Sequence, residues 1–113
     1  MANIFQRYKM RYSTLYGFFS IDPMPNQPSV AWCSDFTVFT LSRKQGMAHV
    51  LKAYQNKILS NEGFTLAMRS VKESNVAQIK VLTKADWTHK TSFQDVRTGE
   101  MIQLWVYGID QGL

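Results

Sequence analysis

Phe36-Thr37-Val38-Phe39-Thr40-Leu41-Ser42, followed by Arg43-Lys44-Gln45-Gly46-Met47-Ala48-His49-Val50-Leu51-Lys52-Ala53-Tyr54-Gln55-Asn56-Lys57-Ile58-Leu59-Ser60-Asn61-Glu62-Gly63, changes its apolar period partway along. The first seven residues are mostly β-branched or aromatic, as in a strand. From Arg43 to Asn61, Met47, Val50, Leu51, Tyr54 and Ile58 recur at helical spacing and fall within a narrow arc. Gln45, His49, Lys52 and Asn56 fall opposite. The pattern predicts an amphipathic helix with one core face, Ser42 as its N-cap and Gly63 as its stop.

Strand patterns flank this helix. Ile4 to Tyr12 alternates, with Tyr8, Met10 and Tyr12 on one side and Arg7, Lys9 and Arg11 on the other. Leu15 to Ile21 is apolar on both faces, and Gly17 in its middle marks a bulge or a close backbone approach. Asp22 to Ser29 holds all three prolines and reads as a surface loop. Val30 to Leu41 is a further strand. After the helix, Phe64–Arg69 and Val76–Leu82 alternate and are expected to pair as a hairpin across Lys72–Asn75. Phe93–Val96 and Met101–Ile109 form a second expected hairpin turning at Gly99. The expected fold is therefore α+β: one amphipathic helix packed on a mostly antiparallel sheet of about six strands. Residues 1–113 are expected to make a single domain, a length that one core can serve.

No run approaches the 18 apolar residues of a membrane-spanning helix, and the first residues lack an apolar leader core. One cysteine, Cys33, can form no internal disulfide and supplies no zinc set. A reducing compartment, most simply the cytoplasm, is the expectation. Motifs for a phosphate-cradling loop, a nucleophile elbow or a zinc pair are missing, so no catalytic residue, metal or cofactor is expected. Cys33 reads as a buried thiol rather than a nucleophile paired with His49 or His89.

Charge is the remaining lead. Residues 1–57 carry seven basic and two acidic side chains, while residues 58–113 carry six of each, so the net +5 lies wholly in the first half. Arg7, Lys9 and Arg11 on one strand face, extended by Arg43, Lys44 and Lys52, would form a basic binding face. Arg43 and Lys44 oppose the dipole of the helix they begin, so their presence calls for another reason, such as a partner. The function read from these features is a non-enzymatic small binding module. Its partner would be nucleic acid or an acidic protein surface. One alternative is an inhibitor of the kind phages and mobile elements encode, acting by protein–protein binding to a host target. A second is a small metal-dependent nuclease or hydrolase using Asp86 and His89 with a carboxylate such as Asp95 or Glu100. Met24, Trp32 and Trp87 would mark an interface if exposed. No membrane partner is expected, and an exposed last strand would allow a homodimer.

Overall fold

The computed structural model describes residues 8–109, apart from the side chains of Lys44 and Gln45. Six strands and two helices follow the order β1 (Met10–Ser13), β2 (Gly17–Met24), β3 (Gln27–Val38), α1 (Met47–Asn61), β4 (Leu66–Lys72), α2 (Val76–Lys84), β5 (Thr88–Gln94) and β6 (Met101–Gly108). A 3₁₀ turn, Thr40–Gln45, joins β3 to α1. The strands form one sheet in the order β1-β2-β3-β4-β6-β5, antiparallel except for the parallel pair β3–β4. A parallel pair needs a long crossover, and α1 supplies it. None of the described helices is long and apolar enough to cross a membrane.

The α+β reading and the mostly antiparallel six-stranded sheet hold, but the single helix does not. Val76–Lys84 is a helix rather than the second arm of a hairpin. Asn75 caps it, its side-chain oxygen accepting from the Gln78 amide, and alternation over seven residues had masked that signal. β4 pairs instead with β6, bringing the chain's last strand between β4 and β5. The expected eight-residue proline loop is also shorter, because β2 runs through Met24 and β3 starts at Gln27. Asn26 takes the left-handed turn conformation, with φ 66°. The β5–β6 hairpin closes at Gly99, φ 75°, as expected.

Both helices lie on one side of the sheet. Asn56 of α1 donates to the Ala85 carbonyl at the end of α2 and accepts from Trp87 Nε1 at 2.9 Å. Between helices and sheet, Phe19, Ile21, Ala31, Ala67, Val71 and Trp105 meet Leu51, Leu59 and Leu82 in the core. The buried face of α1 differs from the expected one: Leu51, Lys52, Gln55, Ile58 and Leu59 are buried, while Val50 and Tyr54 are 49% and 44% exposed. The helix is rolled toward its polar side, and that roll puts a lysine in the core.

Candidate functional site

The site begins where two parallel strands separate. β3 and β4 share a ladder only over Val30–Trp32 against Leu66–Met68. β3 runs on for six residues and β4 for four without further pairing. A bulge bends β3 just beyond that point: from Phe18 to Ser20 β2 advances two residues, while the paired β3 positions move three, from Thr37 to Ser34. Asp35 carries the bend in left-handed conformation, φ 57°, and its carboxylate accepts from Ser20 Oγ at 3.1 Å. Gly17 makes the bend possible, since a Cβ there would stand 2.0 Å from the Thr37 carbonyl oxygen. The expected close backbone approach at Gly17 is thus present.

A cleft of about 530 Å³ opens at the carboxyl end of β3. Phe36, Thr37 and Val38 form one wall, Arg43 and Ala48 line the start of α1, and Asn75, Ala77, Gln78 and Val81 come from the start of α2. No carboxylate among the described residues lines it. The first turn of α1 holds no acidic residue and its N-terminus has no side-chain cap. Gly46, φ 71°, precedes that turn, with open space where a side chain would stand. The positive end of the helix dipole therefore faces the cleft beside Ala48, with no side chain at Gly46 in the way. Arg43 is anchored beside it by Nε donating to the Val38 carbonyl at 2.9 Å. Gln78 Oε1 is buried without a hydrogen-bond partner.

Behind Phe36 lies a buried polar cluster. Lys52 and Gln55 are both 0% exposed, and Lys52 Nζ donates to Gln55 Oε1 at 2.7 Å. The same nitrogen lies 4.5 Å from the Phe36 ring centre and 4.6 Å from that of Trp87. Burial, reinforced by the Arg69 guanidinium and opposed by Cys33, pushes Lys52 down to about 7. Burial pushes the Cys33 thiol up to about 11, against the pull of Lys52 and Arg69. Cys33 is therefore a neutral, buried thiol at ordinary pH.

Of the six residues expected to form a basic face, Lys9, Arg11, Arg43 and Lys52 have described side chains. Arg7 lies outside the described residues, as does the side chain of Lys44. Lys9 precedes β1 and pairs with Asp35 at 3.7 Å, and the Arg11 guanidinium lies 4.0 Å over the Phe18 ring. Lys52 is in the core and cannot belong to a solvent face. Among the described side chains of that set, Arg43 lines the cleft. Among the interface candidates, Trp87 is buried in the core, whereas Met24 and Trp32 are half-buried on the sheet. His89 stacks on Trp105 and bonds Ser92, while Asp86 lines a groove with His49 between the helices. Their surroundings differ, and no group of three His, Cys, Asp or Glu among the described residues could hold a metal. Sequence reasoning missed the cleft itself, though it singled out Arg43, which lines it.

No family model matches the chain, and no curated protein matches it in sequence. Solved structures do. The Escherichia coli ribosomal-protein-S18-alanine N-acetyltransferase superposes with a TM-score of 0.72 at 16% identity, covering 96% of this chain and 75% of that one. A Bacillus subtilis acetyltransferase in complex with CoA gives 0.76 at 13%, with 87% and 72% covered. An acetyltransferase of the GNAT family from Streptococcus pneumoniae gives 0.72 at 13%, with 84% and 60% covered. These likenesses show the fold. They overturn the expectation of a non-enzymatic module for nucleic acid or an acidic surface, and the inhibitor and nuclease alternatives with it, because the matching architectures are those of acyl-transferring enzymes.

Proposed function

We propose that this chain is an acyltransferase that takes its acyl group from a coenzyme A thioester. The observation that carries this reading is the junction of the β3–β4 split with the uncapped start of α1, in one cleft that no carboxylate among the described residues lines. The similar Bacillus subtilis enzyme is in complex with CoA, which supports the same ligand class here.

Each part of the cleft fits a part of that ligand. The start of α1 at Gly46–Ala48 offers backbone donors and a positive dipole end to a pyrophosphate, and Gly46 has no side chain to hold it off. Arg43, fixed to the end of β3, adds a permanent cation at the same place. This supplies the reason for basic residues at a helix start. The edge of β3 beyond Trp32, free of its ladder to β4, presents backbone groups to the amides of an extended arm. Gln78 Oε1 is a buried acceptor lacking a donor, and an amide N–H would satisfy it.

Bound, the thioester supplies an activated acyl carbon whose transfer to a nucleophile releases a thiol. The chain's contribution is to hold that carbon at the split, to exclude water with Phe36 and Val81, and to offer β3 amides where negative charge develops on the carbonyl oxygen.

Thermal unfolding with added CoA tests the reading. Ligand at 100 times its Kd stabilises by about 2.7 kcal/mol, a rise of many degrees for a chain this size. Gly46→Val, which fills the approach and strains the backbone, is expected to abolish the rise. An unchanged midpoint in millimolar CoA and acetyl-CoA would refute the proposal.

A further inference from the structure

We infer that the apex of the β3–β4 split is a carboxylate-binding site, so that the acyl group taken by this chain ends in a free carboxylate, as in a dicarboxylic acid joined through one end. This rests on the acyltransferase reading above.

Cys33 and Arg69 are the first positions past the last ladder pair, Trp32 and Met68, and so stand on either side of the point where the strands part. Lys52 enters the core from α1 and lies 4.5 Å from the ring of Phe36, three residues along β3 from Cys33. A half-buried guanidinium and a fully buried amine thus meet with no carboxylate shown against either among the described residues. The ion pairs Lys9–Asp35, Lys72–Glu100 and Arg97–Asp95 do not include Lys52 or Arg69. Two donors also lack acceptors: Gln55 Nε2, on a side chain that is 0% exposed, and Arg69 Nη1. Arg69 Nε donates only to the neighbouring Ser70 carbonyl at 3.3 Å.

Buried cations and unmatched donors are costly, and proteins retain them where a ligand completes the set. The missing group must be an acceptor, must carry negative charge, and must have at least two oxygens to serve both donors. A carboxylate has this form, and it meets a guanidinium side-on. Phe36 separates the cleft from these donors: it forms the cleft wall on one side and lies against Lys52 Nζ on the other, so an acyl tail enters by displacing that ring. A thioester held with its phosphates at α1 and its carbonyl at the split points its acyl tail toward this apex. Acetyl brings neither charge nor a second pair of oxygens to these donors.

The test is calorimetric titration of the full chain, without an acceptor, using acetyl-CoA, malonyl-CoA and succinyl-CoA. At least one of the two dicarboxylic thioesters is expected to bind tenfold or more tightly than acetyl-CoA. Arg69→Met should erase that difference while changing acetyl-CoA affinity less than threefold. Equal or tighter binding of acetyl-CoA would overturn the inference and leave the acyltransferase reading standing. A preference that survives Arg69→Met would also overturn it. Failure of all three thioesters to bind would overturn both. The wild-type comparison decides the matter even if the variant does not fold.

Discussion

Lys52 Nζ sits 4.5 Å from the centre of the Phe36 ring, so a lysine expected on the wet side of α1 instead backs the wall of the cleft. A fully buried amine of this kind sets how stability responds to pH. The unfolded chain holds its Lys52 proton up to about 10.5, and the folded chain releases it at about 7. Between those values the unfolded state binds more protons, so stability rises with pH, and below 7 the full cost of a buried charge applies. Cys33, pushed up to about 11, acts in the opposite direction above pH 9. Urea unfolding is therefore expected to show a gain of roughly 2 kcal/mol from pH 7 to 9. Lys52→Met should flatten that slope, and a slope unchanged in the variant would assign it elsewhere.

Gly17→Ala is expected to be the most damaging single-methyl change in the sheet. Its Cβ would meet the Thr37 carbonyl oxygen at 2.0 Å and the Val38 Cα at 3.0 Å, both backbone atoms that cannot swing aside. A loss of about 3 kcal/mol is expected by chemical denaturation. A loss under about 0.5 kcal/mol, the range of neutral surface changes, would show that β2 and β3 do not pack this closely.

Asn75→Ala removes the oxygen that receives the Gln78 amide at the start of α2. A cost of about 1 kcal/mol follows from cap deletions elsewhere. Because Asn75 and Gln78 both line the cleft, the variant should also weaken CoA binding. Differential scanning calorimetry with and without CoA separates the two effects.

Arg43→Ala should lower CoA affinity about tenfold, the worth of a charge-assisted contact, while moving the unfolding midpoint little. The loss should shrink as salt rises, because the contact is electrostatic. A variant whose CoA affinity is unchanged at low salt would place the phosphates elsewhere.

Much of the sheet was legible from alternation alone. The turn at Gly99, the strand expected over Val30–Leu41 (observed over Gln27–Val38) and the constraint at Gly17 each have a local cause, so local pattern finds them. The helix Val76–Lys84 was not, because Val76, Gln78, Lys80 and Leu82 against Ala77, Ile79 and Val81 also satisfy period two. Its capping pair, Asn75 and Gln78, was the better signal. The buried face of α1 was misplaced because Lys52 and Gln55 are polar, and only their mutual bond and the rings of Phe36 and Trp87 make burial tolerable. The cleft has no local signature. It arises from a parallel pair that separates, which depends on β4 returning beside β3 after the whole of α1.

Amide NMR of the chain titrated with CoA tests the central claim most directly. Saturable shifts concentrated at Gly46–Ala48 and Phe36–Val38, with the β5–β6 hairpin unmoved, are the predicted result. Shifts that are absent, or that gather on β1 around Arg11, would contradict it.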